Sequence, residues 1–269
     1  MLMTNFLKKR KSVREFKNKK INPDILDEIK LYLDSLEKED GTKGIRFKLY
    51  EYGEKLYKEL RGIGGYSGVM IESPHYIGLE IVDDKDRNVI YGSYYMEKLI
   101  TKLNNMGLDT CWVSIGNVDD GIKKEIFGDM VGKIDYILAL GYGKPKNPFV
   151  NETFSERIGV EEMVFVDKIG NSPSTDELEN RGLSDLFYYI RFAPSALNKQ
   201  PWRFLLDKDK VTLLIKHDEG EKPNLIDAGI IMYYFESLGQ SIGLNNKWEL
   251  IEGIKQENNN YKYVAEFKL

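Results

Sequence analysis

The chain of 269 residues has a single cysteine, Cys111, and only two histidines, His75 and His217. One cysteine excludes an internal disulfide and points to a reducing, cytoplasmic setting. Neither histidine has a neighbour at metal-ligand spacing, so no zinc or iron site is expected. No apolar run approaches the roughly 18 residues of a membrane span. The opening MLMTNFLKKRKS has a short apolar stretch followed by its basic residues, the reverse of a secretory signal. Positive charge is not in excess either. A formal net charge of -4 argues against general nucleic-acid binding. What remains is the balance of a soluble globular protein, with 42% hydrophobic and 30% charged residues. That is enough for one large domain or two ordinary ones.

Positive charge is nevertheless concentrated at one place. Lys8, Lys9, Arg10, Lys11, Arg14, Lys17, Lys19 and Lys20 face the single acid Glu15. Alternate residues of an extended segment point to one side. Arg10, Ser12 and Arg14 would then bring two guanidinium groups and a hydroxyl together, a donor set suited to phosphate. The plainer alternative is a solvated basic strand.

Periodicity gives a series of elements. Asn22 and Pro23 start a helix carrying Ile25, Leu26, Ile29, Leu33 and Leu36. The strand Ile45–Tyr50 follows, then a short charged helix over 53–61 and a loop with Gly62, Gly64, Gly65 and Gly68. Tyr76–Val82 reads as a strand, and Gly92–Asn105 as a helix capped by Gly107. Thr110–Ile115 is a short apolar segment and Ile134–Leu140 a buried strand. A second series opens on the capping box Ser174–Glu177, with Leu178, Leu183, Leu186, Phe187 and Ile190 behind it. Strands Arg203–Leu206 and Val211–His217, a helix near Asp227–Gly239 and a last strand Tyr261–Phe267 complete it. The series match in order. Arg46-Phe47 and Arg203-Phe204 are 157 residues apart, whereas Gly107-Leu108 and Gly243-Leu244 are 136 apart. The 21-residue difference places extra chain in the first half, near residues 53–74. A divergent tandem duplication explains the match, and so would the ordinary run of elements in any mixed α/β protein.

Three stretches carry chemistry. Arg10-Lys11-Ser12-Val13-Arg14 is the basic one. Ala193–Trp202 is a polar loop stiffened by Pro194 and Pro201, with Ser195, Asn198 and Gln200 as hydrogen-bonding groups; it suits a flat heteroaromatic ring or an ordinary turn. Gly107–Gly116 runs from a helix cap into a short buried segment whose small residues admit a close ligand or simply pack. Cys111 lies in its apolar part with no histidine placed to activate it. Gly62 to Gly68 does not fit a dinucleotide-binding glycine motif.

Together these stretches resemble the flavin-dependent nitroreductase family. Its members open with a segment like Arg10–Phe16. They carry a loop like Ala193–Trp202 before a strand beginning Arg203-Phe204, and a segment like Gly107–Gly116 before a strand like Ala139–Tyr142. The order is altered here. The Ala-Pro-Ser loop normally follows the first helix, where this chain has Asp40–Ile45; the signature stands in the second half instead, which in turn lacks the basic motif. The resemblance implies an α+β fold, a mixed β-sheet flanked by helices with two pseudo-twofold related halves, 1–168 and 169–269, sharing one core. One FMN site per chain would lie between them, in a monomer acting as an internal pseudo-dimer with no nucleic-acid or membrane partner. Family roles would assign Arg10, Ser12 and Arg14 to the FMN phosphate and ribityl chain, with Arg157 as a further phosphate ligand. Lys11 would sit by the pyrimidine edge. Pro194, Ser195, Ala196 and Asn198 would cover the ring, and Ser114, Ile115 and Gly116 would face N5. Tyr66 could stack over the substrate. The expected activity is hydride transfer from NAD(P)H through flavin to a nitroaromatic, quinone or related small molecule, with no protein acid or base named. Another flavin reaction, or flavin storage and redox sensing without turnover, stand as alternatives.

Overall fold

The computed structural model describes residues 2–83, 85–128, 130–145, 155–251 and 260–269. Contacts divide the chain into two compact units: Lys11–Glu152, here the middle unit, and Met1–Arg10 with Thr153–Leu269, the terminal unit. In chain order the first elements are α1 (Met3–Lys9), α2 (Pro23–Leu36), β1 (Ile45–Tyr50) and α3 (Gly53–Leu60). Next come β2 (His75–Ile81), α4 (Asp86–Asn105), β3 (Asp109–Ser114), α5 (Asp120–Phe127) and β4 (Lys133–Gly141). Then follow α6 (Val160–Met163), β5 (Val164–Val166), α7 (Thr175–Asn180) and α8 (Ser184–Ile190). The chain ends with β6 (Trp202–Leu206), β7 (Lys210–Lys216), α9 (Leu225–Ser241), β8 (Glu249–Leu250) and β9 (Tyr261–Lys268).

The middle unit holds a sheet of order β1-β2-β4-β3, antiparallel throughout. The helix α2 begins where Asn22 accepts the Asp24 N–H at 3.0 Å and Pro23 takes the first position. The strand β2 is buried along nearly its whole length because both faces are covered. Leu79 and Ile81 meet α4 at Gly92, where a Cβ would lie 2.9 Å from Ile81 Cδ1. On the other face Tyr76 joins Leu56 and Leu60 of α3, Phe127 of α5, and Cys111, Val113 and Ile137 in one apolar cluster. A continuous apolar run in an antiparallel strand is thus explained by packing on both faces.

The terminal unit holds a five-stranded sheet, β5-β6-β7-β9-β8, parallel only between β5 and β6. Its long helix α9 is apolar nearly all round, as a core helix should be. Phe6 of α1 stacks on Tyr234 of α9, so the amino terminus is packed into this unit.

Four strands of each sheet follow one plan, β1-β2-β4-β3 and β6-β7-β9-β8. Phe47 pairs with Leu79 and Phe204 with Leu213, in keeping with the Arg-Phe correspondence. Both partners stand just before a bulge, at which Asp135 in β4 and Val264 in β9 are the unpaired extra residues. The carbonyls of these two residues accept the N–H of Ile115 at 2.8 Å and of Ile251 at 2.9 Å. Helices α4 and α9 also end alike. Leu108 N–H reaches the Leu103 carbonyl and Leu244 N–H that of Gly239, with Gly107 and Gly243 at φ +78° and +92°. The β1–β2 connection is longer than the three residues Asp207–Asp209 between β6 and β7 by 21 residues, and it contains α3 and the glycine loop.

The structure corrects some expectations. The mixed sheet occurs in the terminal unit alone. Helix α4 starts at Asp86, not Gly92, a glycine that serves close packing rather than helix entry. The series from Leu178 to Ile190 is two helices, broken where Gly182 adopts φ +67°. The elements α1, α5, α6, β5 and β8 were not foreseen. Strand β5, in the tail of the expected first half, forms the edge of the terminal sheet.

Candidate functional site

The loop after α8 is held in a conformation that its sequence would not adopt freely. Leu197, Asn198 and Gln200 have φ of +52°, +57° and +48°, a region that costs a leucine about 1–2 kcal/mol and that asparagine tolerates better. The fastenings are polar and specific. Asp227, fully buried in the first turn of α9, accepts the Ala196 N–H at 3.0 Å. Ser195 Oγ accepts from Gln200 N–H at 2.9 Å. The side chains of Asn198 and Gln200 donate to the Glu156 carbonyl at 2.9 and 3.1 Å, and Gln200 Oε1 accepts the Ile158 N–H. Leu197 is left 69% exposed at the tip of this strained and firmly fastened loop, and backbone strain of this kind clusters at functional sites.

Arg157 joins this loop to a cluster of cations. Its Nη1 donates to the Ala193 carbonyl at 2.9 Å and to Asn198 Oδ1 at 3.1 Å. Burial lowers its pKa, and the positive charges of Arg10 and Arg191 lower it further. An arginine stays charged under such pressure, so the terminal unit concentrates three guanidinium groups near one another. Arg191 ends α8 and lies over the rings of Tyr188 and Phe192 at 5.4 and 5.8 Å. Among the described residues its buried Nε has no acceptor. A phosphate with its several oxygens fits the donor set of clustered guanidiniums. Arg191 escaped the sequence reading. Its only signal is its position two residues before the Ala-Pro-Ser loop, and a cation closing a helix has an ordinary explanation.

In the middle unit the basic segment lies along the sheet. Val13 N–H donates to the Thr110 carbonyl at 3.0 Å, Lys17 N–H to Tyr142 at 2.7 Å, and Lys144 N–H to Glu15 at 2.9 Å, while Phe16 bridges Gly143. Lys11 and Arg14 are exposed and Ser12 half-buried. Ser114 ends β3, Ile115 is buried and Gly116 exposed. The glycine loop is fastened here, since Gly65 N–H donates to the Ser114 carbonyl at 2.9 Å. Tyr66, at its tip, is 72% exposed. Of the site residues expected from sequence, Arg10, Arg157, Pro194, Ser195, Ala196 and Asn198 belong to the terminal unit. Lys11, Ser12, Arg14, Ser114, Ile115 and Gly116 belong to the middle unit. Among the described residues no cluster of His, Cys, Asp and Glu could hold a metal ion, and no helix is long and apolar enough to cross a membrane.

The fold is that of a solved structure from Thermotoga maritima MSB8 described as a "putative nitroreductase". It matches with a TM-score of 0.61 at 18% identity, covering 98% of this chain and 94% of that one. A "FMN-dependent Nitroreductase" from Clostridium difficile R20291 matches with a TM-score of 0.45 at 22% identity, over 55% of this chain and 91% of that one. A "Nitroreductase with Bound FMN" from Bacteroides fragilis gives 0.46 at 16% identity, over 57% and 94%. No curated protein is significantly similar in sequence. The protein family described as "Putative TM nitroreductase" matches residues 3–238. The chain belongs to this nitroreductase family, and its class is that of the oxidoreductases.

Proposed function

We propose that the chain is an FMN-dependent oxidoreductase that takes hydride from NAD(P)H and passes electrons to a nitroaromatic, quinone or related small acceptor. The observation that carries this reading is the strained Ala-Pro-Ser loop bonded to Arg157, whose guanidinium feels the charges of Arg10 and Arg191. The three guanidiniums would hold the FMN phosphate, each charge-assisted bond contributing about 1.5–3 kcal/mol. Pro194, Ser195, Ala196 and Asn198, fixed by Asp227 and Arg157, would lie against the ring. Lys11, Ser12, Arg14 and the backbone of Ser114, Ile115 and Gly116 are further proposed ligands, with Lys11 at the pyrimidine edge. When bound, FMN supplies the redox chemistry at its N5 and the protein binds, orients and tunes it. We further read the chain as a tandem duplication, halves 1–168 and 169–269, that acts as a monomer in the cytoplasm.

The test is flavin retention. Purified protein should be yellow and release FMN on denaturation. Arg10→Ala combined with Arg157→Ala should lose at least nine-tenths of the bound flavin while circular dichroism stays unchanged. Undiminished flavin in that folded variant would defeat the phosphate assignment.

A further inference from the structure

An ion pair with a buried ammonium adjoins the segment Ser114–Gly116. Lys123 of α5 has a side chain only 2% exposed, and its Nζ lies 2.6 Å from Asp135 Oδ1, with Asp120 Oδ1 at 3.7 Å. Asp135 is the bulged residue of β4 whose carbonyl receives the Ile115 N–H. Its side chain also packs on Gly116, where a Cβ would lie 3.7 Å from Asp135 Cβ and 4.0 Å from Oδ1. The Asp135 side chain remains 46% exposed. The charges are thus ordered, with the ammonium buried and the carboxylate at the surface beside Gly116.

The terminal unit supplies an internal control. It makes the same bulge and the same hydrogen bond, Ile251 N–H to Val264 carbonyl, with a valine that can form no ion pair. This hydrogen bond therefore needs only a backbone carbonyl. A second fastening is also confined to the middle unit. Gly65, in the connection that has no counterpart between β6 and β7, binds the Ser114 carbonyl. Two devices therefore act on the same three residues, and neither recurs among the described residues of the other unit.

We propose that Lys123 and Asp135 are positioning residues that hold a fixed carboxylate beside Gly116 and thereby set the reduction potential of the flavin. The proposal rests on the flavin reading above. For a ring lying against Gly116 the Asp135 carboxylate would be the nearer of the two charges, and a nearby negative charge opposes the charge gained on reduction, so the pair would keep the potential low.

The experiment compares holoprotein with two variants. Lys123→Met with Asp135→Val removes both charges and copies the valine of the other unit. Asp135→Asn keeps the shape and an acceptor for Lys123 while removing the negative charge. Both should retain flavin, and the double variant should melt within a few degrees of wild type. The midpoint potential, measured by anaerobic titration against indicator dyes, should move in the positive direction in both. A yellow protein whose potential is the same in wild type and variants overturns this proposal alone. A wild-type chain that takes up no flavin overturns the flavin reading and this proposal together. Failure of both variants to fold would make the pair structural and also overturn it.

Discussion

Arg157 shows how a single side chain can join a loop to a charge cluster. One of its nitrogens holds Ala193 and Asn198, and Arg10 and Arg191 act on its charge. Arg10 and Arg157 stand in recognisable motifs, whereas the nearness of Arg191 to Arg157 could not be read, because proximity in space is invisible to spacing along a helix. His75 was legible only as an isolated histidine, and the structure shows it 1% exposed, accepting the Ile21 N–H at Nε2 over 3.0 Å. That bond assigns the proton of the neutral ring to Nδ1. Burial lowers its pKa, aided by Lys20 and outweighing the opposing pull of Glu51. The folded chain therefore binds this proton less readily than the unfolded chain. Its contribution to stability is complete above the unfolded value near 6.5 and declines as the pH falls from there to the folded value. Denaturant unfolding at pH 7.5 and 5.5 should show wild type losing up to about 1.4 kcal/mol per pH unit from this one group. His75→Asn should be less stable at pH 7.5 and should lack that part of the slope. Equal slopes for the two proteins would refute the assignment.

Elements were legible where a period was long and an end was marked. Strand β1 was read to its residue limits, and Asn22-Pro23 gave the start of α2. Failures have physical causes. Helix α1 is seven residues with two buried apolar positions, Phe6 and Leu7, too few for a period to show. Strands β5 and β8, of three and two residues, owe their existence to neighbours rather than to their own pattern. Gly182 was passed over inside an apolar series that looked continuous. The two helix ends at Gly107 and Gly243 were the clearest signals, and they permit a controlled test. A Cβ at either glycine would meet nothing within 4 Å, so the cost of alanine is the left-handed backbone alone. Gly107→Ala and Gly243→Ala should each destabilise by about 1 kcal/mol. The double variant should show the sum within about 0.5 kcal/mol. Denaturant midpoints read this directly. A loss of 3 kcal/mol from either would mean that the helix end carries more than its turn.

At the scale of the whole molecule the shared plan of the two units raises the question of how many flavins one chain binds. The loop before β6 and the loop before β1 occupy the same place in the two strand orders, yet they are fastened differently. In the terminal unit Asp227 of α9 holds Ala196 by a carboxylate. In the middle unit the residue 136 positions earlier, the offset of the Gly-Leu helix ends, is Tyr91 of α4. Its ring lies against Gly41, within 3.0 Å of where a Cβ would stand, and Tyr95 donates its hydroxyl to the Asp40 carbonyl at 2.5 Å. A loop packed on tyrosine rings, with no Pro-Ser-Ala-Leu-Asn run of its own, offers no strained polar edge to a heteroaromatic ring. The basic segment is likewise present once, before α2, and has no counterpart before α7. The basic segment and the strained polar loop thus occur in a single copy each, although the scaffold occurs twice. Titration of flavin-free protein with FMN, followed by quenching of flavin fluorescence, should saturate at one FMN per chain. Saturation at two would show that the tyrosine-packed loop serves a second site, and saturation at one FMN per two chains would show that the site needs another copy of the polypeptide.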